Sequence, residues 1–133
     1  MIGQTEAVRV VIVDDQLPFR DAAKLVFDLL DRFEVVGEAA SGEEALELIQ
    51  SLRPDLVVMD INLPGMNGVD ATRQAVANVP GTVVVLVSTY EANALPRGAS
   101  SCGALAYVHK ERFDIDLIEQ LWDEREGALW RTA

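Results

Sequence analysis

The two apolar stretches that open and centre the chain each end in acid: Val8 to Val13 runs into Asp14-Asp15, and Leu56 to Met59 runs into Asp60. A third, Val83 to Val87, ends in Ser88-Thr89, and Ala104 to His109 ends in Lys110. Charged groups are almost never fully buried without partners, so strands that finish in charge invite the question of what those charges meet. Were the ends to converge, three carboxylates, a hydroxyl and an ammonium would share one site. Converging carboxylates suppress one another's ionisation unless something neutralises them, and a hard divalent cation held through oxygen does so. Magnesium, or manganese in its place, takes one or two carboxylates and leaves positions for water and a phosphate. With its charge shielded in this way, one carboxylate can attack a phosphoryl group and form an acyl phosphate. Ser88 and Lys110 can then hold the phosphoryl oxygens. Taken singly, the residues read more plainly: Asp14-Asp15 as a turn or helix cap, Lys110 as a surface lysine with an apolar stem, Ser88 as a strand-end hydroxyl. Their joint placement at strand ends is what points to a site.

Positioning them requires a particular architecture. Runs apolar on both faces belong to central parallel strands covered by helices, and Glu34 to Ala39 and Ala104 to His109 read as outer strands. Helical patterns lie between them. Leu17 to Arg32 places Ala22, Leu25, Val26, Leu29 and Leu30 on one apolar face, and Gly42 to Ser51 is opened by Ser41 as N-cap with Glu44 three residues on. Gly68 to Asn78 and Asp114 to about Glu126 follow. Alternating strand and helix implies right-handed crossovers and an open, doubly wound α/β sheet, whose sites lie beyond the carboxyl ends of the strands. The fourth helical slot, EANALPRGASSCG at 91 to 103, is compromised: Pro96 and Gly98 within a helix cost about 3 and about 1 kcal/mol relative to alanine. A short or irregular element is expected there, with Pro96 able to open a turn.

The 133 residues make one domain, 1–133, with its core at about 8–125. The apolar runs are too short to span a bilayer, and MIGQTEAVR lacks the basic-then-apolar order of a secretory leader. No membrane role is expected. Cys102 is the single cysteine and His109 the single histidine, so neither an internal disulfide nor the usual zinc constellations can form, and a reducing cytoplasm fits. A net charge of −11 without a Lys/Arg-rich block repels phosphate backbones, which argues against direct nucleic-acid binding by this chain.

VIVDD at 11 to 15, MDINLPGMNG at 59 to 68, LVST at 86 to 89 and AYVHK at 106 to 110 together resemble the CheY-like receiver domain of two-component response regulators, over about residues 8 to 125. The resemblance implies a flavodoxin-like, five-stranded parallel sheet of order 2-1-3-4-5. It implies that Asp60 accepts a phosphoryl group from a phosphohistidine on a sensor histidine kinase. Asp15 and Asp60 would bind Mg²⁺ (or Mn²⁺) with the backbone carbonyl of Asn62, Asp14 acting largely through metal-bound water. Ser88 and Lys110 match the phosphate-contacting hydroxyl and lysine, and Tyr107 the aromatic switch residue that turns inward when Ser88 moves toward the phosphoryl group. Output would be by contact with a downstream protein target, and a homodimer through the face of helix 4, strand 5 and helix 5 is a further expectation. Four departures qualify the match. Glu111 replaces the proline that often follows the lysine, Ala106 replaces a glycine before the aromatic, the fourth helix is broken, and Thr89 and bulky Tyr90 follow Ser88. Tyr90 is placed to hinder the water that would hydrolyse the acyl phosphate.

Three rival readings stand beside this one. Haloacid-dehalogenase-type phosphatases also use a strand-end Asp, but they need a second Asp two residues on as general acid, and Asn62 cannot deliver a proton. An EF-hand reading fails because Ala71 stands at position 12 and Pro64 interrupts the loop. A phosphorylation-independent interaction module is motivated by the broken fourth helix and opposed by the complete Asp14, Asp15, Asp60, Ser88 and Lys110 set. Leu117, Ile118, Leu121 and Trp122 form an apolar stripe on the last helix, and these and Trp130 read as core or helix-end packing. The chain reads either as a stand-alone receiver or as a piece of a longer regulator. Met1, and a tail without an obvious linker, favour the first.

Overall fold

Leu56–Asp60 is buried at every residue and forms β3, the centre of a parallel sheet. The computed structural model describes residues 6–133; Met1 and the first residues of MIGQTEAVR, on which the leader and stand-alone expectations partly rest, lie outside them. In chain order the elements are β1 (Val8–Val13), α1 (Leu17–Asp28), β2 (Phe33–Ala39), α2 (Gly42–Leu52), β3, α3 (Gly68–Asn78), β4 (Val83–Ser88), β5 (Ala106–His109), α4 (Ile115–Asp123) and β6 (Arg131–Thr132). The sheet order is β2-β1-β3-β4-β5-β6, all pairs parallel.

Alternate residues of each strand face opposite sides, and both sides are covered. Val11, Val13, Val57, Met59, Val84 and Leu86 pack on one face with Ala45 and Ile49 of α2 and Ala71 and Ala75 of α3. Val10, Ile12, Val58, Val85 and Val87 pack on the other with Ala23 and Phe27 of α1 and Ile118 and Leu121 of α4. Side-chain caps start three of the helices as the sequence directs: Ser41 accepts from the Glu44 amide, Asn67 from Asp70, and Asp114 from Leu117.

Three expectations change. The sheet has six strands rather than five, because Arg131–Thr132 adds beside β5; a two-residue strand leaves no apolar run to read. The α1 face of Ala22, Leu25 and Leu29 turns to solvent, Leu25 being 68% and Leu29 69% exposed, while Ala23 and Phe27 are buried. The aromatic rings decide this seating, with Phe27 5.3 Å from Phe33 and 6.0 Å from Phe113, and Phe19 5.5 Å from Phe113, all edge to face. The helix also stops at Asp28, and α4 is confined to Ile115–Asp123. The fourth helical slot holds two single turns of 3-10 helix, Ala92–Ala94 and Ala99–Ser101. The carbonyl of Pro96 accepts from the Ala99 amide, and Gly98 takes a positive φ of 88° between the two turns.

Candidate functional site

β1, β3, β4 and β5 run parallel, so their carboxyl ends open on one edge, and each delivers a polar residue there. Asp14 and Asp15 follow β1, Asp60 and Ser88 are the last residues of β3 and β4, and Lys110 follows β5. Carboxylate oxygens of Asp14, Asp15 and Asp60 lie within 4.8 Å of one another. Asp14 is fully buried, Asp60 is 3% exposed, and Asp15 faces solvent.

Local hydrogen bonds fix the acids. Asp14 Oδ1 accepts from the Gln16 amide at 2.8 Å, which turns the chain into α1, and the Arg20 guanidinium donates to the Asp14 carbonyl at 2.7 Å. Asp60 Oδ1 accepts from the Asn62 amide at 3.2 Å. The loop after Asp60 is clamped by the Ile61 amide donating to the Val87 carbonyl and the Gly68 amide donating to the Ile61 carbonyl. Gly68 has no room for a side chain: a Cβ there would meet the Asp60 carbonyl and come within 2.9 Å of Ile61 Cα.

The Lys110 ammonium reaches in from β5. Nζ lies 2.7 Å from Asp14 Oδ2, outside good hydrogen-bond alignment, and 3.8 Å from Asp60 Oδ2, over the Phe19 ring at 4.7 Å. One ammonium cannot neutralise three carboxylates. Burial, reinforced by the neighbouring charge of Asp14 and opposed by Lys110, pushes the Asp60 carboxyl up to about 7. This all-oxygen, over-charged donor set fits a hard divalent cation, and Asp14 Oδ2, buried without an aligned hydrogen-bond donor, has acceptor capacity to spare.

Ser88 is buried beside the acids, and its Oγ accepts from the Tyr90 amide at 2.9 Å. Its hydroxyl hydrogen is therefore free to donate elsewhere. Tyr90 reaches across the mouth of the site, its hydroxyl donating to Asn62 Oδ1 at 3.0 Å. Tyr107 is 1% exposed and turned inward, with its hydroxyl 2.9 Å from the Ser88 carbonyl and 2.6 Å from the Tyr90 carbonyl. Burial raises its phenol above the ordinary value.

The seven residues singled out in the sequence thus gather at or beside one edge. Sequence reasoning missed Phe19, Gln16, Arg20 and the steric role of Gly68. Gly68 carries a signal in the Asn67-Gly68 pair that opens α3; Phe19 carries none, because its contact with Lys110 joins residues 91 positions apart.

With this geometry in place, the chain's relationships are clear. Residues 10–121 match the response regulator receiver domain family, and the chain belongs to it. It is 36% identical over 123 residues to the transcriptional regulatory protein DegU of Brevibacillus brevis, an alignment covering 92% of this chain and 52% of that protein. It is 37% identical over 105 residues to a protein-glutamate methylesterase/protein-glutamine glutaminase of Paramagnetospirillum magneticum, covering 77% of this chain and 30% of that one. The signal receiver domain of the NarL response regulator from Mycobacterium tuberculosis superposes with a TM-score of 0.83 at 32% identity, covering 92% of this chain and 99% of that domain. The chain therefore spans about half or less of the length of the two full-length relatives. Among the described residues no helix is long and apolar enough to cross a membrane.

Proposed function

We propose that this chain is a phosphorylation-controlled signalling switch whose acceptor is Asp60, the strand-end carboxylate within 4.8 Å of two others and 3.8 Å from Lys110. In the step proposed, an Asp60 carboxylate oxygen attacks the phosphorus of a phosphohistidine on a sensor histidine kinase. A P–O bond forms as the P–N bond breaks, and the imidazole leaves and takes up a proton. Mg²⁺ or Mn²⁺, held by Asp15, Asp60 and the Asn62 carbonyl with Asp14 acting through bound water, would neutralise the carboxylates and the phosphoryl oxygens. Lys110 moves from sharing Asp14 and Asp60 to pairing with the phosphoryl group, and the Ser88 hydroxyl donates to a phosphoryl oxygen. Tyr107 reports the event through the Ser88 and Tyr90 carbonyls.

In this reading residues 1–133 form one receiver unit that works in the cytoplasm. It assists its own phosphorylation and dephosphorylation but turns over no external substrate. Asn62 supports this, since the residue two beyond the acceptor is bonded to Tyr90 and has no proton to deliver to a leaving group. Output passes to a downstream protein, with a homodimer through the face of the broken fourth slot, β5 and α4 as one form of it, and without direct contact to nucleic acid or membrane. That the relatives include transcriptional regulators and a methylesterase supports a receiver that can serve different outputs. The two single 3-10 turns favour the rival, a module that signals without phosphate. Acetyl phosphate with Mg²⁺, followed by intact-mass measurement, separates the two. One phosphoryl group gained by the wild type and lost in Asp60→Asn supports the switch; no gain supports the module.

A further inference from the structure

The C-terminal segment is docked on the edge of β5. β6 lies parallel to β5, pairing Arg131 with Ala106 and Thr132 with Tyr107. The Ala133 amide donates to the Tyr107 carbonyl at 2.8 Å, and the His109 amide donates to the Ala133 carbonyl at 2.9 Å. Trp130 packs against the cluster on one face of the sheet that contains Tyr107, Ala99 and Cys102, while Ala133 packs against the cluster on the other. The segment thus straddles the edge of β5 and grips the residue whose hydroxyl holds the Ser88 and Tyr90 carbonyls. Thr132 and Ala133 also line a cavity of about 340 Å³ together with Tyr107 and with Glu91, the chain neighbour of Tyr90.

Few contacts hold this strap. β6 is two residues long, Leu129 is 86% exposed, and Gly127 turns the chain toward β6 with a φ of 72° and an open surround. Arg131 adds one half-exposed ion pair to Glu124 at 3.2 Å. Segments with so little buried contact open locally at small free-energy cost. Docked, the strap fixes the Tyr107 backbone and covers the cluster that seats its ring, and the ring in turn fixes both carbonyls flanking the Ser88 hydroxyl.

We propose, building on the reading of Asp60 as acceptor, that residues 127–133 are a positioning strap. Docking of β6 on β5 and binding of a phosphoryl group at Asp60 favour the same inward arrangement of Tyr107, so each strengthens the other. Two consequences follow by linkage. A phosphoryl mimic at Asp60 tightens the strap, and full release of the strap weakens the mimic by the same factor. While the strap is docked, the Tyr107 carbonyl and His109 amide on the β5 edge are closed to any partner's strand.

The test uses the 133-residue chain with Mg²⁺ and beryllofluoride, an acyl-phosphate mimic. Hydrogen exchange of the wild type at His109 and in the tail slows on adding beryllofluoride by about fivefold or more. Trp130→Ala combined with Ala133→Pro, checked for folding by urea melts and for release of the tail by its exchange, weakens beryllofluoride binding by that same factor, and Trp130→Phe alone leaves it as in the wild type. Tail exchange that is unchanged or faster with the mimic bound overturns the strap, as does a folded double variant with a released tail that binds the mimic as tightly as the wild type. A wild type that binds no beryllofluoride overturns the acceptor reading, and the strap falls with it; binding without coupling overturns the strap alone.

Discussion

Asp60→Asn should stabilise the metal-free protein above neutral pH, although it removes the residue on which the site is built. Burial and the charge of Asp14 lift the Asp60 carboxyl from its ordinary value near 3.8 to about 7. Between those pH values the native state holds a proton that the unfolded chain has released, so stability falls as pH rises through this window and levels off above it. At about 1.36 kcal/mol per tenfold change, the full gap corresponds to about 4 kcal/mol, and relaxation of the site brings the expected figure to about 1 to 3 kcal/mol. Asparagine keeps the shape and carries no charge, so the variant escapes this loss. Urea melts in EDTA at pH 4, 6 and 8 read it directly. The two proteins should differ little at pH 4, and the variant should lead by about 1 to 3 kcal/mol at pH 8. Mg²⁺ at a hundredfold excess over its dissociation constant should then stabilise the wild type by about 2.7 kcal/mol, narrowing or reversing the order. A variant no more stable than wild type at pH 8, or a wild type whose relative stability does not decline between pH 4 and 8, would refute the account of the buried carboxylate.

Other perturbations test separate parts of the site. Gly68→Ala forces a methyl group against the Asp60 carbonyl, backbone that cannot give way cheaply, and should cost about 3 kcal/mol in a urea melt. Lys110→Met leaves the fully buried Asp14 without its cation; the expected loss at pH 8 is about 3 kcal/mol, smaller in saturating Mg²⁺. Tyr90→Glu breaks the bridge to Asn62 across the mouth of the site and should shorten the acyl-phosphate lifetime several-fold, followed as loss of the phosphorylated mass; an unchanged rate rejects Tyr90 as a screen against water.

Much of this arrangement was legible in the residues because the relevant signals are local. Continuous apolar runs mark strands covered on both faces, and in a parallel sheet their last residues must meet at one edge, so Asp14, Asp60, Ser88 and Lys110 could be placed together without coordinates. Pro96 and Gly98 likewise announce the broken fourth helix. What stayed hidden depends on contacts between distant segments. The apolar spacing of Ala22, Leu25 and Leu29 suggests a core face, but Phe19, Ala23 and Phe27, meeting Phe33 and Phe113, offer the larger burial and set the rotation of α1. β6 has too few residues to show a period, and its place is set by the edge of β5 that it covers. The Tyr90 to Asn62 bridge joins residues 28 apart that each sit two positions beyond a strand end.

The chemistry of Asp60 itself is open to one direct measurement. After reaction with acetyl phosphate and Mg²⁺, borohydride reduces an acyl phosphate to the alcohol, and peptide mass mapping locates the product. A homoserine in place of Asp60, absent without acetyl phosphate and without Mg²⁺, is the predicted result; reduction at another carboxylate, or none in a protein that has gained a phosphoryl group, would contradict it.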